Sequence, residues 1–251
     1  MVCCLKAKEF KIEYTESEIE EAVLWESHCH TQFELIAVTE GDVSVMLEGK
    51  NHRLKEGQVL IIPPLHYHSV TANGKGKYSR VTALFDSSAI PSVLKSEFEG
   101  CGTGIEISES DVIERIKKIC LKENTDFYLP LVKSLMVEIF YEALAGRTRH
   151  SEAESDGFLD RALEYIDKHL SEKILLDDLA KHTARSKSSF CHLFLEKMNI
   201  SPKQYILEKK LALAEKLIEE GLSHTEAAIR VGYSNYSDFY RVYKKKKEMK
   251  R

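Results

Sequence analysis

Short apolar segments separated by turn signals fill the first hundred residues. The segments are rich in β-branched and aromatic residues and span 32–38, 42–49, 52–54, 58–63 and 78–85. Glycine, asparagine and proline mark the turns between them. In the second segment, Val43, Val45 and Leu47 alternate with polar neighbours, as in a strand with one buried face. Many short strands at this spacing predict a small antiparallel barrel or sandwich.

The hydrophobic period becomes helical near Ser108. One stripe comprises Val112, Ile113, Ile116, Ile119 and Cys120, and a second comprises Val132, Met136, Ile139 and Ala143. These stripes predict two amphipathic helices at 108–123 and 129–145, which pack on the barrel or on a partner subunit. The following segment, RTRHSEAESDG at 147–157, has almost no apolar content and predicts an exposed linker.

Helices with clear start signals fill the chain after Phe158. At 201–204, Ser201 is the expected N-cap, Pro202 the first helical residue and Gln204 the residue that closes a capping box. At 223–226, SHTE predicts a second capping box, which opens a helix over 225–231.

Two segments of this helical region, 177–197 and 225–245, repeat one another. Each contains a short helix with a small residue at its centre, a tight turn that holds Ala184 or Gly232, and a longer helix with two aromatic residues four apart. This is the layout of a helix-turn-helix motif, whose second helix presents its first side chains to the major groove. One copy would fit an ordinary helical hairpin equally well, but two copies joined by a long capped helix favour DNA binding.

Charge is distributed unevenly along the 251 residues, which carry a net charge of −4. Residues 158–251 contain 19 Lys and Arg against 14 Asp and Glu, and the remainder contains 17 against 26. A basic last part suggests that it binds a polyanion.

Six scattered cysteines predict reduced thiols, with Cys3 and Cys4 in an exposed tail. The sequence shows neither an apolar run of about 18 residues nor a signal-peptide pattern, so we expect a cytoplasmic protein.

Residues 158–247 resemble the DNA-binding domain of the AraC/XylS family of transcription regulators. The resemblance rests on the LA pair before the first turn, on SPKQYI with A-x-x-L in the connecting helix, and on VGY-S-x-x-x-F-x-R-x-Y-K. Ala184 and Lys210 stand where the family usually has Gly and Arg, and KKKKEMKR replaces the usual G-x-S-P-x-x-Y-R tail. The family implies two recognition helices that enter successive major grooves of double-stranded DNA.

This resemblance also implies roles for individual residues. Base contacts fall to Ser188, Cys191 and His192 in the first recognition helix, and to Tyr236, Ser237, Tyr240 and Arg241 in the second. Arg241 is the strongest candidate because arginine can bond both acceptors of a guanine edge; a surface salt bridge is the alternative. Phosphate contacts fall to Arg185, Ser186, Lys187, Lys203 and the run Lys244–Lys247, although a terminal lysine run can also be merely solvated.

Residues 20–86 resemble a cupin barrel, which AraC-type regulators commonly carry as an effector domain. The first cupin motif is matched by His28-x-His30-x3-Glu34-x6-Gly41, and the second by Gly57-x5-Pro63-x4-His68, with Leu65 in place of a usual glycine. In metal-binding cupins the residues corresponding to His28, His30, Glu34 and His68 are metal ligands. Imidazole and carboxylate ligands suit Zn, Ni, Mn or Fe.

Three roles stay open for this cluster. In the first, the histidines and Glu34 bind a small polar effector such as a sugar, with Trp25 or Phe33 stacked on it. In the second, they hold a divalent metal in a metal sensor or a metal-dependent cupin enzyme. In the third, Glu34 is a structural acceptor at a strand edge, and His66 and His68 face water.

The sequence therefore predicts an α+β multidomain chain. Its parts are a cupin-like, effector-binding antiparallel β-barrel at 1–105, a helical pair for dimerisation at 106–146, a linker at 147–157, and an all-α DNA-binding domain with two helix-turn-helix motifs at 158–251. We expect a transcription regulator rather than an enzyme, with a divalent metal as the one candidate cofactor. The expected partners are double-stranded DNA, a small-molecule effector, a second copy of the chain and, for an activator, RNA polymerase. An activator is expected rather than a repressor, and no membrane is involved.

Overall fold

The computed structural model describes residues 2–25, 27–99, 105–107, 110–122, 125–145 and 157–249. The chain divides into two compact units, Met1–Ser151 and Glu152–Arg251. The predicted linker lies outside the described residues except for Gly157, which begins a helix, and Cys101 also lies outside them. The predicted domain limits therefore stay predictions.

Two antiparallel sheets form the described part of the first unit. Their strands are β1 (Val2–Lys6), β2 (Phe10–Ile19), β3 (Val23–Leu24), β4 (Phe33–Glu40), β5 (Asp42–Leu47), β6 (Lys50–Lys55), β7 (Val59–Ile62), β8 (His68–Ala72), β9 (Gly76–Phe85) and β10 (Ile105–Ile107). One sheet has the order β1-β2-β9-β4-β7-β10, and the other has the order β3-β8-β5-β6. The predicted antiparallel β architecture is confirmed.

Alternation along the central strands separates two apolar clusters. On β4, Phe33 and Leu35 belong to a cluster shared with the helices, whereas Ile36 and Val38 belong to a cluster between the two sheets. Glu34 has the parity of Ile36, so its side chain faces the space between the sheets. The six-stranded sheet is therefore the middle layer of the unit.

Three helices cover the outer face of this sheet: α1 (Ser92–Glu99), α2 (Asp111–Cys120) and α3 (Leu129–Ala145). The apolar stripes predicted for α2 and α3 are buried in the same cluster as Phe33 and Phe85. The apolar stripes of α2 and α3 were predicted to pack on the barrel or on a partner subunit, and they pack on the sheet of their own chain.

The sequence pattern missed several elements, among them β1, β2, β8 and α1. Cys3 and Cys4 lie in β1, which pairs with β2 along its whole length, so they belong to a sheet and not to a tail, although Cys4 is exposed as expected. Leu5, which is fully buried, anchors this strand to the core. Such a short strand is fixed by its pairing partner, which the local pattern does not reveal.

The described part of the second unit, residues 157–249, contains six helices: α4 (Gly157–Lys168), α5 (Leu176–His182), α6 (Lys187–Met198), α7 (Pro202–Glu219), α8 (His224–Arg230) and α9 (Tyr236–Met249). Ser201 caps α7 by accepting a bond from the backbone of Gln204, but the Gln204 side chain donates to Glu208 and leaves that capping box open. Ser223 and Glu226 form the complete box that was predicted for α8.

The turns after α5 and α8 have the same hydrogen-bond pattern, which confirms the internal repeat as two helix-turn-helix units. Arg185 donates its backbone N–H to the carbonyl of Ala180, and Tyr233 donates to that of Ala228. Each turn contains a residue with a left-handed backbone: Ala184 has a φ of 53° in the first turn, and Gly232 has a φ of 77° in the second. A Cβ atom on Gly232 would lie 2.6 Å from the backbone carbonyl of Glu172. The second turn therefore requires glycine both for its φ and for this close approach.

Lys210, on α7, ties the two helix-turn-helix units together. Its Nζ donates to the carbonyls of Leu170 and Glu172, after α4, at 2.8 and 2.6 Å, and to that of Val231, after α8, at 2.5 Å. Burial lowers the pKa of Lys210 to about 8. The ammonium form still prevails at neutral pH, and its three N–H groups match the three carbonyls.

Candidate functional site

Four residues from the two sheets converge in the first unit. The side chains of His28, His30, Glu34 and His68 offer ligand atoms that all lie within 4.8 Å of one another. Glu34 comes from β4 in one sheet, and His68 begins β8 in the other. His28 is positioned by two backbone bonds with His68, of 2.9 and 3.0 Å. The structure thus brings together the four residues that the cupin motifs predicted.

One carboxylate oxygen stands at the centre of the cluster. Glu34 Oε2 lies 3.0 Å from His30 Nε2, 3.0 Å from His68 Nε2 and 3.9 Å from His28 Nε2. His68 is fully buried and Glu34 nearly so, whereas the His28 side chain is 48% exposed. The cluster is therefore closed on the His68 side and open on the His28 side.

The charges of Glu34 and His68 support each other. Burial raises the pKa of Glu34, but the hydrogen bonds and charges of His30 and His68 outweigh it and hold this pKa well below its usual range. Burial lowers the pKa of His68, and the bond and charge of Glu34 reverse that effect and raise it. The carboxylate is ionised at neutral pH, and the buried imidazole beside it favours its protonated form.

The backbone fixes which nitrogen of each ring faces the carboxylate. His30 Nδ1 donates to the carbonyl of Gln32 at 2.8 Å, and His68 Nδ1 donates to that of His66 at 2.9 Å. Both Nε2 atoms then point at an oxygen that only accepts hydrogen bonds. A divalent cation at this point would be held by both Nε2 atoms and by Glu34. Rings held through Nδ1 by a backbone carbonyl, with Nε2 directed at a common point, are typical of metal ligands, so this donor set fits a divalent metal.

Two interpretations of neighbouring residues are wrong. Phe33 cannot stack on a ligand between the sheets, because it is 1% exposed on the helix side and stacks on Phe85 at 5.3 Å. His68 does not face water, since it is 0% exposed. Trp25 packs against the cluster between the sheets, with its ring 5.5 Å from that of Tyr78 and 4.6 Å from the guanidinium of Arg80.

The first recognition helix, α6, leaves its N-terminal end exposed. Ser186 is its N-cap and accepts a bond from the backbone of Ser189, and Lys187 forms an ion pair with Asp177 at 3.0 Å. The His192 side chain is 81% exposed one turn further on. Of the predicted contact residues of this motif, Arg185, Ser186, Lys187, Ser188 and His192 are exposed, and Cys191 is half-buried.

The second recognition helix, α9, presents a comparable surface. Asn235 precedes it and accepts a bond from the backbone of Ser237. The rings of Tyr236 and Tyr240 stack at 5.7 Å, and the Arg241 side chain is 78% exposed with Asp238 at 3.2 Å. The salt bridge considered as the alternative for Arg241 is therefore present, but at this exposure it is weak and can open.

The lysine run at the end of α9 does not act as one group. Lys246 forms an ion pair with Glu208 at 3.0 Å, and its side chain is only 11% exposed. Lys247 faces Glu215 at 3.4 Å with about half of its side chain exposed. Lys246 therefore braces α9 on α7 and is not available for the phosphate contact expected of it.

A groove of about 720 Å³ runs between the two helix-turn-helix units. The first residues of α7 and the residues just before α9 line it together with Lys173, Lys203, Lys210 and Arg241. Two helix N-termini and four cations against one carboxylate, that of Asp238, favour an anion in this groove. Lys173 was missed from the sequence because it lies in the loop after α4, far from both recognition helices along the chain.

Comparison with known proteins decides the family. A model described as "AraC-like ligand binding domain" matches residues 11–113, and one described as "Helix-turn-helix domain" matches residues 179–250. The chain belongs to the AraC family. Like other members, it joins a ligand-binding domain to a helix-turn-helix domain. No helix in the described ranges is long and apolar enough to cross a membrane.

Several curated relatives of this AraC family member are bacterial regulators. It is 31% identical over 108 residues to the uncharacterized HTH-type transcriptional regulator YdiP of Escherichia coli, which covers 42% of this chain and 36% of that protein. It is 26% identical to the regulatory protein PocR of Salmonella typhimurium, over 55% of this chain and 44% of that one. It is 24% identical to the regulator YobQ of Bacillus subtilis, over 88% and 85% of the two chains. The matched part is thus less than half of the first two relatives' length.

Proposed function

We propose that this chain is a transcription regulator that binds double-stranded DNA through α6 and α9 and responds to a small molecule in its β domain. The observation that carries the proposal is the duplicated motif, since both copies leave the polar ends of their second helices exposed. A helical hairpin that served only packing would bury these ends. Bacterial regulators of this kind act in the cytoplasm, where the DNA lies.

Exposed side chains on the two helices divide into base contacts and phosphate contacts. Arg241 would bond a guanine edge after its ion pair with Asp238 opens. Arg185, Lys187 and Lys203 would bind phosphates, and the groove between the units would take the DNA backbone between the two major grooves.

The effector would occupy the space between the two sheets, near His28, His30, Glu34, His68 and Trp25. A small polar molecule such as a sugar is the first candidate, because the open His28 side admits a ligand and the cluster offers both donors and acceptors. Coupling to DNA then requires that the effector bind two arrangements of the chain with different affinity.

A homodimer would use the outer surface of the helices. Leu131 and Tyr141 on α3 are 46% and 51% exposed, and Phe127, just before α3, is 76% exposed. Apolar side chains in this number on one element are typical of a surface that a partner covers. If the protein is an activator, RNA polymerase is a further partner. Sedimentation of the wild type and of Leu131→Glu tests the dimer.

A metal sensor is the second candidate, favoured by the Nδ1 bonds that turn both Nε2 atoms toward Glu34. In this function His28, His30, Glu34 and His68 would hold a divalent metal, and the metal itself would be the effector. Adding zinc should raise the melting temperature of the wild type and of His66→Ala but not that of His30→Ala. An equal rise in all three proteins, or in none, would count against the metal.

Salt dependence of DNA affinity tests the main proposal. Binding of the full chain to a promoter fragment, measured by fluorescence anisotropy, should weaken steeply with salt, with a log–log slope of several units from released counterions. The double variant Arg185→Ala/Lys203→Ala should lower this slope by about two, because each phosphate contact contributes about one. A flat salt response in the wild type would sink the proposal.

A further inference from the structure

A second polar site lies between the sheets, on β9. Tyr78 and Arg80 are two residues apart in this strand, so their side chains share a face, and Tyr78 belongs to the cluster between the sheets. The guanidinium carbon of Arg80 lies 4.6 Å from the ring centroid of Trp25 and 5.8 Å from that of Tyr78. The three side chains therefore form one compact group.

Two buried donors in this group lack an acceptor. Tyr78 is 1% exposed, and its hydroxyl and the Nε of Arg80 both lack an acceptor among the described residues, although the Arg80 guanidinium lies near enough to the hydroxyl oxygen to act as a donor to it. Burial raises the pKa of Tyr78 and outweighs the charge and hydrogen bond of Arg80, which lower it, so the hydroxyl keeps its proton and remains a donor at neutral pH. Buried donors without acceptors destabilise a fold and are rare. Two of them side by side mark the place of an acceptor that none of the described residues supplies.

We propose that Arg80, Tyr78 and Trp25 form a subsite for the carboxylate of a small organic acid; the inference rests on the proposed effector role of this unit. A guanidinium binds a carboxylate through two parallel bonds, and the tyrosine hydroxyl adds a third. Trp25 holds the guanidinium plane by a cation–π contact, which orients its donors in advance. One cation beside one neutral donor matches a singly charged carboxylate better than a doubly charged phosphate.

This subsite is separate from the histidine cluster. Arg80 pairs in register with Val38 of β4, and Glu34 lies four residues away along that strand, a distance of about 13 Å. A carboxylate at Arg80 therefore does not occupy the histidine cluster, which can still contact the rest of the effector or a metal. The organic acid would place its body along the apolar side chains between the sheets.

Trp25 is the only tryptophan of the chain, so intrinsic fluorescence reports on this subsite directly. The full chain is titrated with acetate, benzoate, phenyl phosphate and benzamide at constant ionic strength. We expect a saturable change with benzoate and a weaker one with acetate. Benzamide, which is neutral and of the same shape as benzoate, should bind at least tenfold more weakly, and phenyl phosphate should bind more weakly than benzoate.

Variants assign the binding to the two donors. Tyr78→Phe removes a hydroxyl that lacks an acceptor among the described residues, so it should fold as well as the wild type and lose five- to tenfold in benzoate affinity. Arg80→Met should abolish the saturable change; if it fails to fold, Tyr78→Phe decides. Tyr14→Phe is the matched control, because this buried tyrosine lies in the cluster on the helix side and donates to Glu16. It should leave benzoate affinity unchanged.

Several outcomes would overturn the subsite. The first is that neither carboxylate gives a saturable change up to about 10 mM, a concentration that corresponds to less than about 3 kcal/mol of binding free energy. The others are equal affinity for benzamide and benzoate, tighter binding of phenyl phosphate than of benzoate, and unchanged benzoate affinity in Tyr78→Phe. The same preparations are tested for salt-dependent DNA binding. DNA binding without carboxylate binding overturns the subsite alone, and carboxylate binding without DNA binding overturns the regulator function and supports the subsite.

Discussion

Exchanging the turn residues of the two repeats tests how the second unit is held together. Gly232→Ala places a Cβ atom 2.6 Å from the carbonyl carbon and oxygen of Glu172 and 3.0 Å from its Cα, where ordinary contact begins at 3.4 Å. These are backbone atoms, so they can yield only if the loop after α4 moves. Ala184→Gly is the matched change in the first repeat, where the same turn holds an exposed alanine.

The magnitudes follow from three contributions. A left-handed alanine costs about 1–2 kcal/mol, and the loss of glycine's freedom in the unfolded chain returns about 0.4–1 kcal/mol. Moving the loop also weakens the charged bond from Lys210 to Glu172, which contributes about 1.5–3 kcal/mol. Gly232→Ala should therefore lower the free energy of unfolding by about 2–4 kcal/mol. Ala184→Gly should raise it by up to about 1 kcal/mol, since it only relieves backbone strain.

Urea unfolding of the full chain can follow the two units separately. The only tryptophan, Trp25, lies in the first unit, whereas far-ultraviolet circular dichroism is dominated by the helices, most of which lie in the second. We expect Gly232→Ala to lower the dichroism midpoint by about 1–2 M urea and to leave the fluorescence midpoint in place. Equal stability of Gly232→Ala and wild type would refute the close approach to Glu172. Equal loss in Ala184→Gly would refute the difference between the repeats.

Three further predictions concern single side chains. Lys210→Met removes the Nζ donor from two buried carbonyls and one half-buried carbonyl and should cost about 3 kcal/mol or more in the dichroism transition, whereas Lys216→Met, exposed on the same helix, should cost almost nothing. Glu34→Gln should destabilise the first unit of chelator-treated protein in urea titrations followed by fluorescence. The difference in the free energy of unfolding between wild type and Glu34→Gln should be largest between pH 4.5 and 6.5. The pKa of Glu34 is lowered in the folded protein, so the stability that its charge contributes is lost in acid. The pKa of His68 is raised, so the stability that its charge contributes is lost as the pH rises beyond that pKa. A difference independent of pH would exclude the ion pair as its cause. Arg241→Ala should relax preference at one base position by about 1–3 kcal/mol, whereas Lys245→Ala should weaken all sequences alike; uniform losses from Arg241→Ala would remove it from the base contacts.

Local patterns were sufficient for the elements whose burial follows a regular period. Val43, Val45 and Leu47 alternate with polar residues and are buried as expected, and the capping box at Ser223 appears where SHTE predicted it. The turn at Ala184 was placed correctly because its repeat partner is a glycine. In each of these cases the signal lies within a few neighbouring residues.

Features that depend on distant partners escaped the sequence. Ile105–Ile107 forms a strand only because it pairs with Val59–Ile61, more than forty residues earlier. The lysine run looked uniform, yet Lys246 is held by Glu208 on another helix. Arg80 carried no motif, and its place beside Trp25 follows from strand register. Tertiary partners of this kind override local propensity and charge patterning.

The connecting helix α7 has 18 residues and a length of about 27 Å, and Lys210 fastens both helix-turn-helix units to it near its middle. In the proposed function, α7 therefore fixes the distance between the two helices that contact the operator. One base pair inserted between the two half-sites turns one of them by about 34–36° around the duplex axis. Because α7 is a continuous helix that does not twist by this angle, only one of the two recognition helices would then fit its major groove. Promoters under this protein's control should therefore tolerate sequence changes within the spacer far better than changes in its length.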